Sequence, residues 1–235
     1  MPAAATRNAA QGQRHHSRGA LPALLAAAAI TLLAGCQPPG PPGPRAPAPP
    51  VQTDLAPGEV PFQHGTYRIT PLANFDITAL VLSRTRYYFG REAGLSPVDL
   101  VLGWGAMSDR TVLDPITIFQ YDRRFRWQTG GELPVPREQI EHGCANMHLL
   151  PATAALSRQI CGIRRGQLVH LRGWLVRIDG ADGGHWISSL SREDTGSGSC
   201  EVIWVRSCEV LKPGPAAYRD AAAAGGRVSS SQASR

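Results

Sequence analysis

The chain has 235 residues, 43% of them hydrophobic, and a formal net charge of +6. Part of that charge lies in residues 1–20, which contain no acid: without Arg7, Arg14 and Arg18 the 24 basic residues fall to 21, against 18 acidic residues. The small remaining excess includes a single lysine, Lys212. Nucleic-acid binding requires a basic surface, so no nucleic-acid partner is predicted.

A short apolar segment follows the basic residues, from Leu21 to Leu33. A membrane-spanning helix needs about 20 apolar residues, so this shorter segment predicts a signal peptide over residues 1–35. The motif LAGC, which ends at Cys36, resembles the bacterial lipobox. The resemblance implies cleavage before Cys36 and acylation of that cysteine, and two acyl chains hold a protein stably on a bilayer. The alternative is ordinary secretion with a free cysteine.

The residues after Cys36 indicate where the protein resides. In lipoproteins of double-membraned bacteria an aspartate at the next position favours the inner membrane, so by this resemblance Gln37 favours the outer membrane, with the domain in the periplasm. Proline dominates the following segment and predicts a tether over 36–60. The end of the chain, 213–235, lacks apolar periodicity and predicts a disordered tail. One globular domain is expected over 61–212.

Short apolar segments separated by glycine or proline fill the expected domain. They predict β-strands at Tyr67–Thr70, Phe75–Ser83, Ile116–Tyr121, Leu168–Asp179, Trp186–Leu190 and Cys200–Arg206. Two helices are predicted, one that starts at Ser96 and one over Ala154–Ile163 with Thr153 as its cap. Gly173 indicates a bulge or bend in a long strand. The expected fold class is α+β and mainly antiparallel β, with a small bent sheet or barrel and two short helices.

Besides Cys36 the chain contains four cysteines, at Cys144, Cys161, Cys200 and Cys208. An even number of cysteines in an exported protein favours disulfides. The preferred pairing joins the first to the second and the third to the fourth, because both pairs are local, although the other pairings stay open. The second pair requires a turn near Ser207.

Reactive side chains are densest in the segment EHGCANMH, residues 141–148. Its His-Gly-Cys step, which ends at Cys144, resembles part of the Ser-His-Gly-Cys-x-Arg signature of L,D-transpeptidases, which are exported peptidoglycan enzymes. The resemblance implies Cys144 as nucleophile, with His142 or His148 as base. Glu141 and Asn146 replace the serine and the arginine of the signature.

Two other interpretations of this segment are open. In one, two histidines and two cysteines hold zinc, the candidate ligands being His142, Cys144, His148 and Cys161. In the other, which we prefer, the segment leads into a short helix and contributes no chemistry. Cys144 is then disulfide-bonded, Asn146 and His148 cap backbone groups, and the apolar residues Met147, Leu149 and Leu150 pack in the core.

The segment DTGS, residues 194–197, resembles the active-site loop of pepsin-like proteases. Those enzymes need two aspartates that share a proton, and this chain has one copy of the motif. A glycine- and serine-rich turn between the strands of Trp186 and Cys200 is therefore the preferred interpretation. No glycine-rich phosphate loop or nucleophile elbow is present, so we expect no cofactor. The spacing of the candidate zinc ligands matches no common structural zinc motif, so we expect no metal.

Aromatic side chains mark two segments that can line a groove for a glycan or peptide, YYF at 87–89 and GWG at 103–105, although core packing is the commoner fate of such residues. The segment YDRRFRW, 121–127, alternates like a strand with a solvated basic face.

Three longer segments, SPVDLVLGWGAMSD, CANMHLLPA and SREDTGSGSCEVIWV, together resemble a family of exported proteobacterial proteins without an assigned activity. The resemblance covers most of 75–206 and implies a single intact domain. We expect an envelope lipoprotein that acts as a binding or accessory module, anchored through Cys36, with an envelope protein or cell-wall component as partner. The alternative is a cysteine-dependent peptidoglycan enzyme with Cys144 as nucleophile.

Overall fold

The computed structural model describes residues 43–194, 196 and 198–212. The strands in this part of the chain are β1 (Val51–Thr53), β2 (Phe62–His64), β3 (Tyr67–Arg86), β4 (Val98–Gly103), β5 (Ile116–Tyr121), β6 (Arg124–Thr129), β7 (Cys144–Pro151), β8 (Leu168–Gly180), β9 (His185–Ile187) and β10 (Glu201–Leu211). The α-helices are α1 (Arg110–Leu113), α2 (Arg137–Glu141) and α3 (Ala154–Gly162). Within the same residues no helix has the length and apolar character needed to cross a bilayer.

Several predictions concern residues outside this range. The signal peptide, the acylation site Cys36 and the tail at 213–235 are among them, as is the start of the tether. The end of the predicted tether is described, and it is folded. Ala46 is buried, its N–H donates to the Ser108 hydroxyl and its carbonyl accepts from the backbone N–H of Gly105, while β1 pairs with β3. The folded domain therefore begins before residue 61.

Five strands pair in a closed ring, in the order β3, β4, β7, β10, β8 and back to β3. Every pair in the ring is antiparallel except β7 with β10. The strands β1 and β2 add to β3, and β9 adds to β8. The expected fold class, mainly antiparallel β with a bent sheet and short helices, is confirmed, although three α-helices are present where two were expected.

The main hydrophobic core fills the inside of this ring. Alternate residues of β3, such as Phe75 and Ile77, point inward and meet the inward side chains of β4 and β7. Helix α3 covers one end of the ring through Ile160. Its predicted cap is confirmed, since the Thr153 hydroxyl accepts a hydrogen bond from the backbone N–H of Leu156 at 3.2 Å.

Of the two features predicted at Gly173, a bulge or a bend, the structure shows a bulge-like irregularity, with the extra residue, Arg206, in β10. The pairing of β8 with β10 is irregular between Val205 and Ser207, next to the position where Gly173 faces Val205. The backbone carbonyl of Trp204 occupies the space that a Cβ atom at Gly173 would need. Only glycine allows the backbones of β8 and β10 to approach this closely.

Two predictions of local structure are wrong. The segment that starts at Ser96 does not form a helix but leads into β4, and the segment that starts at Cys144 forms β7. Both segments pair with neighbouring strands of the ring, and every residue of β4 is buried. These long-range contacts override the local helix-capping signals. Asn146 and His148 consequently do not cap a helix; they project from β7 with Asp99 of β4 nearby.

None of the predicted disulfides is present in this structure, in which all four described cysteines are free. Cys200 and Cys208 lie at the two ends of one extended segment, because β10 continues through Ser207 without the turn that a bridge requires. Eight residues of strand span about 26 Å, far beyond the Cα separation of about 7 Å that a disulfide tolerates.

The connection between β4 and β7 carries a hairpin, β5 with β6. One face of this hairpin packs on the outer face of the ring and forms a hydrophobic cluster separate from the main core. Phe125 and Trp127 of the hairpin lie in this cluster beside Val101 of β4 and Cys144 of β7. The hairpin therefore covers the outer face of β4 and β7, and its position defines the cavities described below.

Candidate functional site

The turn of the β5–β6 hairpin has a strained backbone. Asp122 and Arg123 have φ angles of 45° and 57°, the left-handed values that a two-residue hairpin turn of type I′ requires. Aspartate tolerates this region, but arginine adopts it rarely. The cost is of order 1–3 kcal/mol per residue, so other contacts must hold Arg123 in place.

Those contacts come from a buried carboxylate. The guanidinium of Arg123 donates to Asp99 Oδ1 at 3.0 Å and to the backbone carbonyl of Ser96 at 3.1 Å, and it lies 3.9 Å from the ring centroid of Tyr87. The Ser96 hydroxyl also donates to Asp99 Oδ1, at 3.2 Å. Burial, followed by the charge of Asp99, raises the pKa of Tyr87 to about 12, so its hydroxyl stays protonated.

Two side chains of β7 complete this polar cluster. Nδ1 of His148 lies 2.9 Å from Asp99 Oδ2, at ion-pair distance, although neither atom has a well-aligned hydrogen bond within the described part of the chain. The Asn146 amide donates to the backbone carbonyl of Arg123 at 2.9 Å and accepts from Gln120 at 2.9 Å. The cluster thus fastens the hairpin turn to β4 and β7.

Beside the hairpin lies a cavity of about 780 Å³, called the trough below. One wall is β6 and the opposite wall is the segment 191–201, whose residues 195 and 197 are not described; the floor includes Trp104 and Cys144. A second cavity of about 610 Å³ lies on the other side of the turn, and its lining includes His148 and Trp186. Arg124 borders both cavities.

The wall formed by β6 is a free strand edge. In the described residues β6 pairs with β5 alone. Opposed residue pairs of a hairpin alternate between two kinds. In the first kind the two residues exchange backbone hydrogen bonds, and in the second their N–H and C=O groups point outward. The pair next to a two-residue turn is of the first, hydrogen-bonded kind. Phe125, Trp127 and Thr129 are therefore of the second kind, and none of them makes a backbone hydrogen bond to another described element.

Charged side chains surround the trough. Arg137 pairs with Glu141 on α2 at 3.0 Å. Arg124 and Arg126 lie on the exposed face of the hairpin, and no acidic partner is found for either among the described residues. Asp194 accepts a hydrogen bond from the Ser189 hydroxyl at 2.6 Å. The rim along β6 is thus positively charged.

A buried carboxylate borders the trough on the other side. Glu201 is 2% exposed, and its Oε1 forms an ion pair with Arg192. Its Oε2 is buried and has no hydrogen-bond partner within the described residues, and the same holds for Nε of Arg192. Burial, only partly offset by the nearby charge of Arg192, raises the pKa of Glu201 to about 7. An unsatisfied buried acceptor is rare in a folded protein.

The structure buries the proposed nucleophile of the possible cysteine enzyme. The Cys144 thiol is buried and lies 3.2 Å from the carbonyl oxygen of Ile140, to which it donates, and burial raises its pKa to about 12. His142 is exposed at the end of α2, and His148 pairs with Asp99. The geometry therefore favours the protonated thiol over the thiolate that a nucleophile needs.

The zinc interpretation also finds no geometric support. Within the described residues no three or more histidine, cysteine or acidic side chains are grouped as metal ligands. Cys161, the fourth candidate ligand, lies on α3. Cys200 borders both cavities, and burial raises its pKa to about 11.

The aromatic segments proposed to line a groove are divided by the fold. Trp104 lies at the floor of the trough, whereas Tyr87 packs beneath Arg123. Tyr88 and Phe89 are exposed, at 68% and 92%. Sequence reasoning missed Asp99, Arg123, Glu201 and Arg192 as site residues. The alternation of YDRRFRW predicted one strand, whereas the structure turns at 122–123 and only residues 124–127 lie on β6.

Comparison with known proteins adds no relationship. The scan against family models, the search of curated proteins and the search of solved structures each found no match. The resemblance to an exported proteobacterial family therefore stays a prediction.

Proposed function

We propose that this protein is a lipid-anchored binding module of the cell envelope, and that its domain binds an extended peptide segment of a partner protein in the trough, as an added strand on β6. The observation that carries the proposal is the free edge of β6 along one wall of the trough. The anchor rests on the lipobox that ends at Cys36, and the periplasmic location follows from it.

The backbone of β6 offers what an added strand needs. Phe125, Trp127 and Thr129 present outward N–H and C=O groups at alternate positions, and their side chains are held by the hairpin. Strand addition gains affinity from such main-chain hydrogen bonds and selectivity from pockets for alternate side chains. Six residues of strand extend about 20 Å, so a bound segment of about six or seven residues matches this edge.

The outer face of the ring is less suitable for binding. A five-stranded Greek-key ring with this connectivity resembles the OB-fold, in which the face of the second and third strands binds oligonucleotides or oligosaccharides. The corresponding strands here are β4 and β7, and the hairpin side chains Phe125 and Trp127 pack on that face. Fold resemblance alone does not assign a function, but this packing favours the trough over the covered face.

The rim charge indicates which peptides bind best. Arg124 and Arg126 lie along the exposed face of the hairpin, so acidic side chains on the outward face of a bound peptide are favoured. Exposed ion pairs contribute up to about 1 kcal/mol each. The charge therefore biases selection among peptides, whereas the strand edge supplies most of the affinity.

The test is a titration of fluorescein-labelled heptapeptides with the purified full-length protein, followed by fluorescence anisotropy. Each peptide of the panel alternates valine and threonine, and lysine or glutamate replaces one residue at each position in turn. Two N-methylated forms of the best peptide are compared. In each form alternate backbone N–H groups are methylated, and the two sets are offset by one residue, so that each form lacks the N–H donors along one edge of the peptide strand. One form should bind at least about tenfold more weakly and the other should bind normally, because an added strand uses one edge.

A pair of protein variants provides the control. Arg126→Gln removes a rim charge and should weaken the glutamate-bearing peptides, whereas Arg165→Gln removes an exposed arginine outside the trough and should leave them unchanged. Equal loss from both N-methylated forms would contradict strand addition. So would a lack of peptide binding, or tighter binding of a hexauronate or a single-stranded hexadeoxynucleotide than of every peptide.

A further inference from the structure

Glu201 has a buried hydrogen-bond acceptor that no group of the described residues uses. Its side chain is 2% exposed and borders the trough, and Oε2 has no hydrogen-bond partner in the described residues although Oε1 is paired with Arg192. Leaving a buried acceptor unsatisfied costs about 1–3 kcal/mol, and more when the group is charged. A group that lies in the trough and donates to Oε2 removes that cost.

The charges near Glu201 select the kind of donor. Arg192 neutralises one negative charge, but Asp194 adds another on the same wall of the trough. This part of the trough therefore has an excess of one negative charge when both acids are ionised. Arg124 and Arg126 lie on the opposite wall, along β6. A cationic donor on the bound segment thus complements the wall that carries Glu201.

We infer that Glu201 selects peptides that carry a primary ammonium group, either on a lysine side chain or at the amino terminus. In this inference, which rests on the proposed peptide binding, the ammonium donates a hydrogen bond to Oε2. The ammonium is compact and carries three donors on a flexible chain, so it can reach a carboxylate in the wall of a cavity. Glu201 is then a specificity-determining residue of the trough, whereas the edge of β6 provides binding common to all peptides.

The experiment compares lysine with Nε-acetyllysine at the best position found when lysine is scanned along the heptapeptide. Acetylation keeps the length of the side chain and removes its charge. At pH 8 the wild-type protein should bind the lysine peptide about ten- to a hundredfold more tightly than the acetylated one, since a hydrogen bond to a charged group contributes about 1.5–3 kcal/mol. This measurement needs no variant of the protein.

Two variants then locate the effect. In Glu201→Gln the preference for lysine should disappear, while Glu141→Gln, which removes a trough carboxylate already paired with Arg137, should keep it. Equal binding of the two peptides by the wild type, or an unchanged preference in Glu201→Gln, would overturn the inference and leave strand addition standing. A lack of binding by every peptide would overturn both.

Discussion

Two buried carboxylates of this domain, Asp99 and Glu201, are each paired with an arginine of a neighbouring segment, yet they have different surroundings. Asp99 is fully buried with Arg123 18% exposed, and Glu201 is 2% exposed with Arg192 22% exposed. Asp99 accepts from both Arg123 and the Ser96 hydroxyl and faces His148. Glu201 has Arg192 as its only side-chain partner within the described residues.

This difference in surroundings indicates that the two carboxylate–arginine pairs have different roles. A polar network with several well-placed donors fixes the geometry of the groups that form it, and the network of Asp99 fixes the hairpin turn on the ring. Asp99 Oδ2 faces Nδ1 of His148 at 2.9 Å, although without a well-aligned hydrogen bond. Glu201 Oε2 has no partner in the described residues and Glu201 borders the trough, so it keeps its capacity to accept a bond from another molecule. We therefore assign a structural role to Asp99 and a binding role to Glu201.

The largest expected effect is that of Arg123→Ala. It leaves Asp99 buried without its arginine partner and removes the contact that offsets the strained turn, so we expect a loss of about 3–5 kcal/mol in the free energy of unfolding. Urea denaturation followed by tryptophan fluorescence measures it. Arg126→Ala removes an arginine on the exposed face of the same hairpin and should change stability by less than about 0.5 kcal/mol. Equal small losses in both variants would refute the structural role of Asp99.

A second effect depends on pH and concerns Glu201. Burial raises its pKa to about 7, from 4.5, so between these pH values the folded state binds more protons than the unfolded state. Proton binding by Glu201 therefore stabilises the folded state by about 3 kcal/mol below pH 4.5, and this contribution is lost as the pH rises to about 7.

The comparison variant is Glu201→Gln, which stays neutral at every pH. Its stability relative to the wild type should rise from pH 4.5 to pH 8 and then level off. Urea denaturation at pH 4.5, 6 and 8 measures this difference, in which the titration of the groups that both proteins share largely cancels. Parallel stability curves for the two proteins would contradict the assigned burial of Glu201.

Sequence reasoning reached the local features of this fold and few of the long-range ones. The strand Ile116–Tyr121, the Thr153 cap and the pairing irregularity at Gly173 follow from residue properties within a few positions. The structure of Ser96–Asp99 does not, because closure of the ring overrides a good helix start. The Asp99–Arg123 pair joins residues 24 positions apart, and the trough exists only once 191–201 lies opposite β6, so neither is encoded in a local pattern.

The smallest expected effect comes from Arg192→Ala, the counterpart of Arg123→Ala. Removal of Arg192 also leaves a carboxylate without its ion-pair partner, but Glu201 has a pKa of about 7 and can bind a proton instead of keeping an isolated charge. We expect a loss of about 1–2 kcal/mol at pH 6, which grows at pH 8, where protonation is more costly. For Arg123→Ala at the same two pH values we expect a larger loss at both. If the two variants lose equal stability at pH 6, both arginines hold their carboxylates in the same way, and the separation of a structural pair from a binding pair fails.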